Sequence, residues 1–550
     1  MKKFVFLFLA GLLILAFGAI GYAQEAKLDF RASGFIDAQS YYLRNVPPLA
    51  PSAMPIFNSL GTYLPGTVGQ SNYGAYNVFN PSGTPAKALD HKISYWDSRM
   101  HLKFDAVMGK ELSGTVQFEI DATRWGSAAN NTQSGTSGPG TAYRDANQYG
   151  YWSTDRSAVE VKYVYIDVGL PYFGIPAPMT FRAGAQPLAI RPAFFVATDG
   201  TGVTGGINLD PITINPLWFK MAQGIDWNYN GSDVYGLQLM ANVSTFKMGG
   251  YGLWYHMGTY PMYYYTSAGL YSATVPSMWV LAYGTQKADF QWLGFYADGK
   301  AGPVNINFDL GYDHGKVQST AVGTTAPDVK YTGWAGRVKV DYPWEKFNFG
   351  VIGMYASGSD ANKTSQTGLA GDPTANPTGN LTTKVSGWMV PPGSEAGAVN
   401  SESAVFYGME AGALGGVGYA VNHNYFQASK GPFGGSAFFK LYSSYKVAPW
   451  YKATVQGLYI WDTTDHGNTI GTARMADGIT LRDDKAIGFE LDMINEFQIY
   501  KNLVFKVFGG YLWAGRALDQ WDPNKNGVGV GGNYSIKNPF AFRTRLLYTF

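Results

Sequence analysis

The chain has no cysteine among its 550 residues. That removes disulfides, thiolate metal sites and Cys-x-x-Cys-His haem attachment, and with them the lipidated cysteine of a bacterial lipoprotein. Charge is sparse too: 15% of residues are charged, against about 25% in soluble domains. One long apolar run exists, Phe4 to Ile20. Nothing after it resembles the roughly 20 apolar residues of a membrane-spanning helix. The six histidines are scattered, with no His-Glu-x-x-His, and neither Gly-x-Ser-x-Gly nor a phosphate loop occurs. The expectation is therefore a chain that is not an enzyme and carries no cofactor and no metal. Asp522-Pro-Asn-Lys-Asn-Gly527 has the spacing of a calcium-loop start, but Asn533 stands where the bidentate Glu belongs. It reads as a turn.

Net charge excludes another class. The formal charge of +2 comes from Lys2 and Lys3, because 41 basic residues less these two leaves 39 against 39 acidic. A balanced chain offers no basic surface to nucleic acid. Glycine, by contrast, is plentiful at 69 of 550 residues, well above the usual ~7%. Hydrophobic content is 46% even without a second long apolar run.

Met1-Lys2-Lys3 is a positive head to the apolar run. Gly21-Tyr22-Ala23 then places small residues at the minus-three and minus-one positions of a cut after Ala23. Residues 1–23 are expected to be a signal peptide, and the mature chain to start at Gln24. A retained anchor helix is the alternative, and amino-terminal sequencing decides between them.

From Asp97 every second residue is polar: Asp97, Arg99, His101, Lys103, Asp105. After Met108-Gly109-Lys110 the alternation resumes, with Leu112, Val116, Phe118 and Ile120 against Ser113, Thr115, Gln117, Glu119 and Asp121. A period of two with a short Gly-containing turn is a β-hairpin. Similar units recur to the end of the chain. They turn at Met248-Gly249-Gly250, at 299–303, at 342–345, at Ala448-Pro449-Trp450 and at Lys501-Asn502. Between them lie long irregular stretches rich in Gly, Ser, Asn, Pro and Tyr: 43–92, 126–158, 187–231 and 358–432. Tyr260, Tyr263, Tyr264 and Tyr265 fall in a further external loop, where they pack the loop or stack on sugars.

Short turns alternating with long loops are the asymmetry of a transmembrane barrel with short periplasmic turns and long external loops. The fold expected for 24–550 is all-β: one antiparallel up-and-down barrel of about 16 strands, or about 18 if Thr213 to Met221 pairs. Aromatics gather near the strand ends, as an interface girdle would place them: Trp96, Trp125, Tyr342, Trp344, Trp450, Tyr451, Trp461, Tyr500, Tyr511 and Trp513.

In the closing strand Phe542, Thr544, Leu546, Tyr548 and Phe550 share one face. Arg543, Arg545 and Thr549 share the other. A terminal Phe after alternating apolar positions resembles the insertion signal of Gram-negative outer-membrane proteins, carried here by Phe542, Leu546, Tyr548 and Phe550. With the hairpin series, the mature chain resembles Gram-negative porins over nearly its whole length. Phe181 to Leu188, Tyr355 to Gly358 and Ile487 to Asp492 are similar to segments of alginate-export-like and related large porins. Deleting Phe550 is expected to lower outer-membrane assembly, read as the yield of heat-modifiable barrel.

The resemblance implies a water-filled channel for passive diffusion of small hydrophilic solutes, located in the cell outer membrane. Its partners would be outer-membrane lipid, the barrel-assembly machinery and those solutes, and the assembly a homotrimer. An oligosaccharide or polysaccharide channel is the alternative; it should show an aromatic track along one wall. A barrel sheathing a cytochrome in an electron conduit is another; it needs a wide lumen. Pore-lining candidates are Arg99, His101, Lys103, Glu119, Asp121, Arg182, Glu490, Asp492, Arg543 and Arg545. Lys440, Lys446 and Lys452 form a basic strip beside Glu490, Asp492 and Glu496. Because both signs balance, weak ion selectivity is expected. In porins the third external loop commonly folds inward and sets the bore. Here the resemblance places it at Pro187 to Gly231, with Arg191, Asp199 and Asp210. Gly358 to Pro432 is the alternative gate.

Overall fold

The structure is a computed structural model. It describes residues 28–45, 92–109, 111–125, 159–170, 177–222, 231–258, 262–267, 277–282, 286–319, 328–363, 383–391, 394, 402–408, 433–471, 473–522, 525–526 and 530–550. The expected signal peptide, most of the 43–92 stretch and all of the 126–158 stretch lie outside the described residues.

The strands run in chain order. The first five are β1 (Leu28–Arg44), β2 (Lys92–Met108), β3 (Leu112–Arg124), β4 (Glu160–Leu170) and β5 (Met179–Ile190). Next come β6 (Val196–Leu209), β7 (Ile212–Ala222), β8 (Ser232–Val243), β9 (Phe246–Met257), β10 (Met262–Ser267) and β11 (Ser277–Ala282). Then β12 (Gln286–Ala301), β13 (Val304–Ser319), β14 (Val329–Trp344), β15 (Phe347–Ala356), β16 (Lys384–Val385) and β17 (Ser436–Ala448). The last are β18 (Tyr451–Asp462), β19 (Ala486–Tyr500), β20 (Leu503–Ala514), β21 (Gln520–Asp522), β22 (Gly532–Tyr534) and β23 (Phe540–Thr549).

Eighteen of these form one closed antiparallel barrel. Closure comes from β1, which pairs with β2 on one side and with β23 on the other. Phe550 completes the seam: its amide donates to the Gly34 carbonyl at 3.1 Å and Gly34 returns the bond at 3.0 Å. A closed barrel leaves no unpaired edge, which is what a strand protein needs inside a bilayer. The pairs β10–β11 and β21–β22 stand outside it. The two-residue β16 adds to β14 in parallel. Among the described residues no helix is long and apolar enough to cross a membrane.

The period-two pattern explains the two faces. Phe30, Ile36, Phe104, Leu239, Leu293, Leu441, Leu491 and Leu546 point outward and are exposed. Trp344, Trp450, Tyr500 and Tyr548 ring the short-turn end, and Trp96, Trp334, Tyr459 and Trp513 the other. An exposed apolar band between two aromatic girdles is the surface that lipid covers. The terminal stripe Phe542, Leu546, Tyr548 and Phe550 belongs to it.

The first hairpin has the expected register. Met108 faces Leu112 across a turn in which Gly109 adopts φ +64°, a conformation that glycine takes without a side-chain clash. Two expectations fail. The described part of 187–231 is not one long loop: it holds the end of β5 and all of β6 and β7. This raises the count to the larger expected value. Gly200, Gly202, Gly205 and Gly206 lie within β6, where a Cβ would strike Phe219, Pro216 or Thr180. They are glycines because neighbouring side chains cross them. The same holds for the Met248-Gly249-Gly250 turn. The chain reverses earlier, between Val243 and Phe246, and Gly249 sits in β9 beneath the Tyr296 ring. Tyr263, Tyr264 and Tyr265 lie in β10, in the β10–β11 pair that stands outside the barrel between β9 and β12.

Candidate functional site in the barrel lumen

Charges of both signs line the inner wall from β23 through β1 to β6. Glu119 is the hub of one group. It meets Arg99 Nη2 at 3.0 Å, His101 Nε2 at 3.1 Å and Lys162 Nζ at 2.5 Å. Lys162 also reaches Asp199 at 3.0 Å. Asp37 is the hub of the next group. It meets Arg545 at 2.9 Å and accepts a hydrogen bond from Gln39 at 2.9 Å. Arg182 forks onto Asp167 at 2.6 and 3.0 Å, with its guanidinium 4.1 Å above the Tyr165 ring. Lys103 pairs with Asp105 at 3.0 Å. The Arg543 guanidinium lies 4.1 Å from the Phe508 ring centroid.

The rest of the lumen is partly filled. Three segments from the long-loop end turn inward. The first is the short link from β5 to β6, residues 191–195. Arg191, at φ +49°, swings the chain into the barrel. Its guanidinium bridges Asp298 on β12 and Asp309 on β13, over the Tyr296 ring at 4.4 Å. Burial opposes its charge, but the hydrogen bonds and charges of those two carboxylates outweigh that and hold its pKa above the ordinary arginine value. Phe194 and Phe195 follow and are fully buried.

The second segment is 386–391 together with Ser394, from the connection between β15 and β17. Trp388 stacks on Phe194 at 5.8 Å. Met389 is held at both ends: its amide donates to Asp313 at 3.1 Å, and its carbonyl accepts from Trp292 Nε1 at 2.9 Å. Ser394 Oγ donates to the Phe195 carbonyl at 3.1 Å, which ties the first two segments together.

The third segment is 402–408. Glu402 is buried between Arg337 Nη2 at 2.6 Å and Lys440 Nζ at 2.5 Å. Burial alone would raise its carboxyl. The charges of Lys440 and Arg337, with their hydrogen bonds, win and hold it down at about 2. The next residues lie on two wall carboxylates. Val405 and Phe406 amides donate to Glu490 at 2.6 and 2.9 Å, as does Ser403 Oγ at 3.0 Å. The Ala404 amide donates to Asp492 at 3.0 Å. Gly510 makes room here: a Cβ on it would come within 2.6 Å of Ala404.

Between these segments and the short-turn rim lies a cavity of about 710 Å³. It opens against Gln238, Asn305, Asn348, Ser444 and Thr454, and against the paired charges Lys339–Asp341, Arg191–Asp298 and Arg337–Glu402. Tyr442 donates to Asp341 across it.

The sequence-chosen residues therefore separate. Arg99, His101, Lys103, Glu119, Arg182, Arg543 and Arg545 do sit on the inner wall. The Asp121 side chain lies outside the described residues. Glu490 and Asp492 point inward, yet residues 403–406 cover them, so they anchor a segment and do not line an open bore. Lys452 pairs with Glu496 at 3.3 Å, but Lys440 is taken up by Glu402. Of the loop candidates, Arg191 enters the lumen. Asp199 is on β6, where Tyr163 donates to it at 2.7 Å. Asp210 is at the short-turn end between β6 and β7, so it cannot share a constriction with Arg191. Sequence reasoning missed Asp298, Asp309, Arg337, Glu402 and Trp388. The one local signal was glycine at inward strand positions, such as Gly311 under Trp388 and Gly510 under Ala404.

No family model and no curated protein matches the chain. Among solved structures it is similar to OccK11 (OpdR) of Pseudomonas aeruginosa, at 9% identity, over 96% of this chain and 99% of that one, with a TM-score of 0.44. It is also similar to a BenF-like porin from Pseudomonas fluorescens Pf-5, at 10% identity, 95% and 98% coverage and a TM-score of 0.42. The outer membrane protein opdK from Pseudomonas aeruginosa matches at 10% identity, 95% and 99% coverage and a TM-score of 0.41. The architecture described above rests on this chain's own strand ladders.

Proposed function

We propose that the chain is an outer-membrane channel through which small hydrophilic solutes diffuse passively. One observation carries the reading: the barrel is closed and apolar outside, while its inner wall is charged and encloses a polar cavity of about 710 Å³. Barrels of this strand number are wide enough for an aqueous path. The inward segments narrow that path to the scale of a small solute. The charges facing the cavity are largely neutralised in pairs, leaving amides and hydroxyls to meet the solute. Neutral or zwitterionic polar molecules suit such a lining, because no net field sorts them by sign.

The sheath alternative needs an empty lumen, and three inward segments oppose it. The oligosaccharide alternative needs an open aromatic track. The inner rings Tyr251 and Trp292 are instead buried against Phe195, and Phe290 and Tyr331 are buried against each other, with Phe290 also beside Trp292. Barrel assembly by the outer-membrane machinery and a trimeric state remain part of the proposal.

Purified protein in a planar bilayer is expected to give discrete openings. Under a tenfold KCl gradient the reversal potential should stay close to zero, as balanced charge implies. No conductance from a folded, heat-modifiable barrel would remove the channel reading.

A further inference from the structure

Between the cavity and the short-turn rim the inner wall carries a row of lysines. The ladder sets Lys446 on β17 directly opposite Lys452 on β18, Lys452 opposite Glu496 on β19, and Glu496 opposite Lys506 on β20. Side chains directly opposite across a ladder share a face. That face is the lumen, because Ser444 and Thr454, two positions along the same strands, line the cavity. Three strand spacings of about 4.8 Å place the four residues within roughly 14 Å. Glu496 is divided between Lys452 at 3.3 Å and Lys506 at 2.9 Å. Lys446 is exposed and has no carboxylate partner among the described residues. Three lysines less one carboxylate leave the row a charge of +2. The neighbours on either side do not cancel it. The Lys446 amide donates to the Lys346 carbonyl at 2.8 Å, and Lys346 is balanced by Glu345 in the same turn. Arg545, opposite Lys506 on β23, is met by Asp37 at 2.9 Å. Like charges directly opposite in a ladder destabilise it, so Lys446 and Lys452 form a pair that an anion would relieve.

We propose that Lys446, Lys452 and Lys506 bind the phosphate dianion of a small solute at the short-turn mouth of the lumen. The proposal rests on the channel reading for the solute's route and deepens it by naming a solute class. Lysines on a pore wall are a recurrent means of holding phosphate. A phosphate monoester carries about −1.5 to −2 charges near neutral pH, which matches the surplus on the row. Its terminal oxygens accept from both opposed ammonium groups at once, whereas a monocarboxylate leaves part of the surplus unmet. Asn348, Ser444 and Thr454 form the next row toward the cavity. They offer an amide and two hydroxyls to the rest of an ester. The surplus is local: in 0.1 M salt its field fades within about 10 Å, so the balanced wall still sets the reversal potential in KCl.

The test is isothermal titration of the full chain, folded in detergent, with glycerol 3-phosphate, inorganic phosphate and acetate as separate titrants. Lys446→Gln/Lys452→Gln should bind glycerol 3-phosphate about tenfold more weakly than wild type, since each contact between unit charges is worth several-fold even in bulk water. Lys446→Arg/Lys452→Arg should keep most of the binding. Lys300→Gln, which removes an exposed cation from β12 on the same rim, should bind like wild type. Heat-modifiable mobility checks folding. If the double glutamine variant does not fold, Lys446→Gln alone carries the test with a several-fold loss. Tighter binding of glycerol 3-phosphate than of inorganic phosphate supports the site with an ester as its ligand, and the reverse order supports it with free phosphate. Equal affinity in wild type and the glutamine variant overturns the proposal, and so does acetate binding as tightly as glycerol 3-phosphate. A wild type that binds but gives no conductance counts against the channel and leaves the site standing. One that conducts and does not bind overturns the site alone.

Discussion

Glu402→Ala is expected to release residues 402–408 from the wall and to raise single-channel conductance. The carboxylate is buried between Arg337 and Lys440 and bonds to both. Its loss leaves two buried cations facing one another. Removing one member of a buried ion pair typically costs about 3–5 kcal/mol, more than the rest of so short a segment readily offsets. The carboxyl titrates at about 2, below its ordinary 4.5. Its stabilisation is thus complete above the ordinary value and fades as pH falls toward the lowered one. Wild-type conductance should stay level from neutral pH down to the mid-carboxylate range and rise only below about pH 3. Glu402→Gln should be raised already at neutral pH and lack that acid step. Single-channel recording over this pH range checks both; an unchanged Glu402→Ala conductance would put the constriction elsewhere.

How far the sequence reached depends on range. The hairpin from Ile93 to Asp121 was legible because alternation is local: each residue's face follows from its neighbours, and the Arg99 and His101 contacts to Glu119 follow from the turn. The stretch 187–231 misled because glycine carries no strand propensity of its own. Gly200, Gly202, Gly205 and Gly206 look like a loop until Phe219, Pro216 and Thr180 are seen crossing them. Glu490 and Asp492 show the limit from the other side. Their period and inward direction were correct. What covers them comes from residues 403–406, more than eighty positions earlier, and no pattern near Glu490 announces it. The gate question was posed as a choice between two loops for the same reason. Nothing local to Arg191 says that Trp388 will lie against the turn it opens.

Trp388→Ala is expected to loosen both inward segments at once. The indole is fully buried. It stacks on Phe194 at 5.8 Å and tilts against Phe195 at 6.3 Å. Gly311 clears its place on the wall, since a Cβ there would come within 2.5 Å of the ring. Truncating a large buried ring costs about 3–5 kcal/mol, part of it for the cavity left behind. The loss falls on 191–195 as well as on 386–391, because the two share this packing and the Ser394–Phe195 hydrogen bond. A turn that gated alone would make Arg191→Met raise conductance while Trp388→Ala did little. A long segment that gated alone would give the converse. One packed body makes both variants raise it. The same unity should show as non-additivity: the thermal costs of Trp388→Ala and Phe195→Ala, measured singly and together in detergent, should depart from their sum by about 0.5–1.5 kcal/mol, the usual worth of an aromatic pair. Strict additivity, with conductance moved by one variant alone, would mean that the two segments act separately and that a single loop sets the bore.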